Sequence, residues 1–192
     1  MDLSFPLVVE RGLTPEDAVA VTSWPQQLVY VHSQRCPCGG SFQAGVHKLE
    51  TVRLELQETT CTGCGRARPF WFDVSAFAED PWASARFEEV RALFSEALDL
   101  VESEDLDGAR IRFSEVAERE PWFALAWYHQ GMIAVVNDEL DEARRCMETA
   151  LGLLPLDPEL HASMADVHER CGDEVRAAVA RNNEQALRRL LD

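Results

Sequence analysis

The chain has 192 residues, 46% of them hydrophobic, enough for one or two small domains with cores of their own. Its formal charge of −16 is unevenly spread: residues 1–78 hold eight acids against six Arg or Lys, whereas residues 79–192 hold twenty-six acids against twelve Arg. The acidic second half repels phosphate backbones, no stretch is apolar for long enough to span a bilayer, and Met1–Arg11 lacks the basic start and apolar run of a secretion signal, so a cytoplasmic location without membrane contact is expected.

Residues 1–35 read as a helix and a strand. Thr14-Pro15-Glu16-Asp17 combines a capping threonine, a proline at the first helical position and acids in the first turn, predicting a short helix to about Ser23. Trp24-Pro25 reads as its stop, and Leu28-Val29-Tyr30-Val31-His32, rich in strand formers, as a strand.

Residues 36–78 form the next unit. Cys36-Pro37-Cys38-Gly39-Gly40 and Cys61-Thr62-Gly63-Cys64-Gly65 are two close cysteine pairs that a hairpin would bring onto one ion. Thr51–Gln57 alternates polar and apolar, and Phe70, Phe72 and Val74 follow the same period of two. In a reducing compartment such pairs read first as metal ligands. This pattern resembles a zinc ribbon with rubredoxin-type knuckles, which implies one structural Zn2+ on Cys36, Cys38, Cys61 and Cys64. The first knuckle departs from the usual spacing, with one residue between its cysteines, which keeps His32 and His47 open as alternatives to Cys38. Four thiolates close a tetrahedral shell, so a scaffolding ion is expected in place of a catalytic one. Two other readings attach here. Arg66 and Arg68 beside Phe70-Trp71-Phe72 mix base and aromatic as single-stranded nucleic-acid sites do, and the thiolates themselves suit a redox or metal sensor.

Residues 79–192 are helical. Asp80-Pro81-Trp82 starts a helix that runs without a breaker past Val101, and Phe77, Trp82 and Phe87 crowd a short connection, as expected if the two halves dock on each other. Ala109, Ala143 and Ala177 recur at one spacing, as do Pro121 and Pro155, and as do Ala97, Gly131 and Ala165. Small residues recur where paired helices must approach, and the prolines end the second helix of each pair. Trp127, Gly131, Ala143, Ala150 and Pro155 stand in the register of the tetratricopeptide repeat, which this half resembles over about 90–123, 124–157 and 158–191. Gln130 and Glu96 depart from that pattern where leucine is usual, and Arg181 and Glu184 depart where a terminal capping helix meets water. The expected fold class is therefore α+β, a small β ribbon followed by an all-α solenoid.

The resemblance implies partner binding. Its packing leaves Phe94, Leu98 and Val101, then Leu125, Tyr128, Met132 and Val135, then Asp166 and Glu169 on the concave side. An apolar middle with an acidic edge suits a protein partner with a basic or amphipathic segment, unless the chain or a second copy covers the groove. With no phosphate loop, nucleophile elbow or acid–base pair, a non-enzymatic adaptor is the expected function, a nucleic-acid-associated regulator or redox sensor the alternatives. His161, His168, Cys146 and Cys171 read as ordinary helix residues.

Overall fold

A computed structural model describes residues 11–191. The segment read above for a secretion signal lies, but for Arg11, outside the described residues. Close contacts divide the chain into two compact units, one over residues up to 83 together with the last residues from 188, the other over 84–187.

The first unit is a four-stranded sheet in the order β1-β4-β3-β2, from β1 (Val19–Ala20), β2 (Phe42–Thr51), β3 (Leu54–Cys61) and β4 (Ala67–Asp73). Here two expectations are corrected. The helix read over Thr14–Ser23 is a single 3-10 turn, Pro15–Asp17, followed by β1, which pairs parallel with β4 through Val19↔Phe72 and Ala20↔Asp73. The strand read over Leu28–His32 is the second half of helix α1 (Trp24–His32). Pro25 sits in that helix's first turn, where the missing N–H would have had no partner anyway, so Trp24-Pro25 starts a helix and does not stop one. Strand propensity then yields to packing. Val31 is fully buried, and Tyr30 meets Phe70 and Phe72 edge-on at 6.1 and 5.9 Å between ring centroids.

The alternation read across Thr51–Gln57 is also not one strand. Thr51 ends β2, and its hydroxyl accepts the amides of Arg53 (3.2 Å) and Leu54 (3.1 Å), closing a hairpin into β3. The β3 residues on the α1 side are polar and buried: Glu55, Gln57 and Thr59. Glu55 is held there by three donors, Gln27 Nε2 at 2.6 Å, His47 Nε2 at 2.9 Å and Trp24 Nε1 at 3.5 Å. Burial without those bonds would be costly, so the network fixes how α1 lies on the sheet. Phe42, Phe70, Phe72, Val74 and Phe77 fill the core, with Trp24 edge-on to Phe77 at 4.8 Å.

The second unit is three helix pairs: α2 (Ala83–Glu102) with α3 (Leu106–Arg119), α4 (Ala124–Val136) with α5 (Leu140–Leu153), and α6 (Pro158–Arg170) with α7 (Glu174–Leu191). The repeat is visible in single atoms. Glu104, Asp138 and Gly172 occupy the same turn position with φ of 64°, 61° and 75°. The next amide in each case, from Asp105, Glu139 and Asp173, donates back across the turn to Leu100, Ala134 and His168 carbonyls, always at 2.9 Å. Ala109, Ala143 and Ala177 are buried to within 1% of complete, and a Cβ on Gly131 would come within 3.0 Å of Met147 Cε. Those contacts are the physical reason the repeat keeps small residues there. Trp127 Nε1 reaches the Pro121 carbonyl at 3.0 Å, and His161 Nε2 reaches the Pro155 carbonyl at 2.9 Å, so the prolines also anchor the following helix.

The departures from the repeat pattern have local reasons. Gln130 is buried but donates to the Phe113 carbonyl at 3.2 Å, tying α4 to α3, while Glu96 is exposed and pairs with Arg112 at 3.0 Å. Arg181 is exposed on α7 and pairs with Glu169 at 2.5 Å, as a wet terminal helix allows.

Candidate metal centre and recognition surface

The first cysteine pair lies on the turn between α1 and β2, the second on the turn between β3 and β4. Each turn is folded by its own backbone. The Cys36 N–H donates to the Gly40 carbonyl and the Gly39 N–H to the Cys36 carbonyl, while the Gly65 N–H donates to Cys61 and the Cys61 N–H to Arg66. Gly39 and Gly65 hold φ of 94° and 67°, which L side chains resist. The turns then press on each other: a Cβ on Gly40 would lie 2.6 Å from Gly63 N and 2.7 Å from Cys61 Sγ.

All four sulfurs fall within 4.8 Å of one another, with Cys36 to Cys64 at 3.8 Å and Cys38 to Cys61 at 3.4 Å. An ion with four metal–sulfur bonds of about 2.3 Å in a tetrahedron sets sulfurs about 3.8 Å apart, so the donor set fits one metal ion. Cys36 and Cys61 are buried, Cys38 and Cys64 exposed, and all are free thiols. Burial raises the Cys61 thiol, but the Cys64 and Gly63 amides outweigh it and, with Cys38 and Cys36, bring it down to about 6. At Cys38 the Gly40 amide lowers the pKa, and the surrounding thiols of Cys61, Cys36 and Cys64 push it up to about 11. The amides aimed at Cys61 thus favour its thiolate, the form that ligates a cation.

Neither alternative histidine joins the group. His47 is committed to Glu55, and His32 stands exposed at the end of α1. The nucleic-acid reading loses its stacking platform, because Phe70 and Phe72 are fully buried in the sheet core and only Trp71 is partly open. Arg66 and Arg68 flank the metal turn through their backbones, the Arg68 carbonyl accepting from Thr59 Oγ1 at 2.9 Å. One half-open indole beside two basic side chains does not make a row of base-stacking platforms.

On the helical unit, the residues read as a groove separate into two kinds. Phe94, Leu98 and Val101 are half-buried against Ala97, Ala109, Phe113 and Ile133, and Phe94 also lies against Phe123 at 4.8 Å. Tyr128, Met132 and Val135 are half-buried against Met147, Met164 and Val167. Much of the cover that apolar α4 demands therefore comes from neighbouring helices, and Leu125, 47% exposed, is the most open apolar side chain of the set. Asp166 and Glu169 are exposed, Glu169 lining a cavity of about 630 Å³ with Gly172, Arg181 and Gln185.

Sequence reading passed over His129. Its ring stacks on Phe113 at 4.9 Å and 8°, with Phe94 and Tyr128 around it, and burial pushes its pKa down. Its partners Phe94 and Phe113 come from α2 and α3, distant in sequence, so no local pattern marked it.

These features define an α+β protein in which a small sheet bearing a four-cysteine cluster precedes a solenoid-like set of helix pairs. No protein-family profile matches the sequence, and no curated protein does. Solved structures do match, over about half of the chain. The MamA RS-1 ArsTM double mutant is 21% identical with a TM-score of 0.52, covering 54% of this chain and 58% of that one. The translocator chaperone SycD of Yersinia enterocolitica is 16% identical with a TM-score of 0.50, covering 52% and 76%. The CopN-Scc3 complex is 14% identical with a TM-score of 0.50, covering 52% and 59%. The chain thus spans less than three fifths of the matched MamA and CopN-Scc3 chains, and the likeness is one of fold.

Proposed function

We propose that this protein is a non-enzymatic adaptor whose helical unit holds a basic or amphipathic segment of a protein partner, and whose sheet unit is a ribbon folded around one zinc ion. The observation that carries the reading is the stack of tetratricopeptide-like helix pairs. Its solved likenesses include a type III secretion translocator chaperone and the CopN-Scc3 complex, which supports a protein-binding role. Leu125 and the edges of Tyr128, Met132 and Val135 supply the apolar contact, with Phe94, Leu98 and Val101 on the preceding repeat. Asp166 and Glu169 supply charge that steers basic segments in and acidic ones away.

Cys36, Cys38, Cys61 and Cys64 would hold the zinc, which in a closed shell contributes fold stability and no reactive position. The four-sulfur donor set and its spacing favour zinc over harder cations.

The test is selection from a random peptide display library on the metal-loaded protein, followed by fluorescence anisotropy on the selected peptides. Enriched peptides carry Lys or Arg around an apolar pair, and Leu125→Glu and Asp166→Lys/Glu169→Lys each weaken them by about tenfold or more. Enrichment of acidic peptides, or selected peptides indifferent to all three substitutions, would overturn the proposal.

A further inference from the structure

Helix α4 has no acid, Arg or Lys in its 13 residues, and its two faces differ. Ala124, Ala126, Gln130, Gly131, Ile133 and Ala134 are buried inside the unit. On the opposite face Leu125, Met132 and Val136 stand seven and four residues apart, one line along the helix about 16 Å long at 1.5 Å per residue. The ends of that line are open, Leu125 at 47% and Val136 at 66%, and its middle is half-buried. On one side of it His129 lies against Phe94 of α2, and on the other Tyr128 and Val135 pack with Met164 and Val167 of α6. The apolar stripe therefore runs between α2 and α6.

Both neighbours carry charge where α4 carries none. On α2 the face holding Phe94 and Leu98 continues one turn later to Glu102. On α6 Asp166 stands one turn before Arg170, whose guanidinium crosses to the Val135 carbonyl of α4 at 2.7 Å. The cations here are engaged within the chain, Arg170 with Asp138 at 2.7 Å and Arg91 with Glu88 at 3.1 Å. Glu102 and Asp166 are exposed and make no ion pair among the described residues. A segment crossing the three helices would cover one of Leu125, Met132 and Val136 and then meet charge on α6. One running along α4 covers all three.

The backbone decides the form of the occupant. The walls are helices, whose main-chain groups bond within themselves, and along the stripe only Tyr128 and His129 have a side-chain group able to bond a backbone. An extended occupant would lose the hydration of its amides against apolar side chains and gain almost no partners, whereas a helix satisfies its own. Resting on the adaptor reading above, we infer that the segment held is an amphipathic helix lying along α4, with an apolar stripe of about three turns and Lys or Arg on both flanks, set against Glu102 and Asp166.

The experiment is fluorescence anisotropy on the full, metal-loaded chain with two labelled peptides of about eighteen residues and matched Leu, Lys and Ala content. In one, Leu recurs at helical spacing and a side-chain crosslink on the far face holds the helix; in the other, Leu and Lys alternate as in a strand. The helical peptide binds about tenfold or more tighter. Leu125→Glu and Val136→Glu, at opposite ends of the stripe, each weaken it about tenfold or more, and Glu102→Lys and Asp166→Lys each about threefold or more. Val175→Glu, at an exposed valine of α7, leaves it unchanged. All five replaced side chains are exposed, so no core contact is lost. Equal or tighter binding of the alternating peptide, or sensitivity at one end of the stripe alone, overturns the inference. So does binding indifferent to the four groove substitutions, or none of either peptide. The adaptor reading falls only if its own library selection fails.

Discussion

Gly40→Ala is the sharpest perturbation of the metal turn. The added Cβ would sit 2.6 Å from Gly63 N and 2.7 Å from Cys61 Sγ. Ordinary contact needs about 3.5 Å, so the two turns would have to part by roughly 0.8 Å. Metal–ligand distances tolerate only about 0.2 Å, so at least one of the four thiolates leaves the shell or strains it. A loss of roughly 100-fold in metal affinity is expected, about 2.7 kcal/mol, and on the proposed role of the ion in folding the unit most of that would appear as lost stability. Gly65→Ala separates crowding from backbone strain: its φ is 67° but nothing lies within 4 Å of the new methyl, so it should cost about 1 kcal/mol and leave affinity nearly unchanged. The assay is competition with a chromogenic chelator, beside thermal unfolding of the same samples. Equal affinity for Gly40→Ala and wild type would refute the reasoning, since it would mean the turns do not need their present separation.

Four further outcomes are expected. Burial depresses the His129 pKa from its ordinary 6.5, so the unfolded chain takes up that proton first; stability is full above that value and falls as pH drops below it, and His129→Phe should flatten thermal unfolding profiles recorded from neutral to acid pH. His161, also depressed by burial, adds to the same slope, so the double variant should be flatter still. Glu104→Gly should gain roughly 0.5–1 kcal/mol in denaturant unfolding by relieving a φ of 64°, whereas Asp138→Gly gains less because it gives up the 2.7 Å bond to Arg170. Glu55→Ala should cost roughly 2–3 kcal/mol by stranding the buried Gln27 amide, measured the same way on the metal-loaded chain.

The helical half was legible because its signals are local and repeated. Ala109, Ala143 and Ala177 each fill the same contact, and the turn at Asn137-Asp138-Glu139 recurs at the same spacing in the other two pairs. The four cysteines were legible for a similar reason, since pair spacing and adjacent glycines are chemistry written in order along the chain. The N-terminal region misled because its cues are ambiguous alone: Trp24-Pro25 serves a helix start as well as a stop, and Leu28–Val31 has strand propensity that contacts with Phe70 and Phe72 override. Alternation over β3 pointed to Leu54 and Leu56, yet the face under α1 carries Glu55 and Gln57, which a hydrophobic pattern cannot assign to an interior without knowing that Gln27 and His47 supply the bonds. How deeply Phe94 and Met132 lie was not legible, since the depth of a half-buried side chain depends on how closely the next repeat stacks.

The proposed ribbon, and its reading as a scaffold and not a reactive centre, turn on the four thiolates closing around one ion. Native mass spectrometry of protein purified without added metal tests this most directly. The account predicts one zinc per chain, retained under mild oxidant and released only on unfolding. Protein without metal, with iron, or with zinc lost to mild oxidant while still folded would contradict it and move the function to the thiolates themselves.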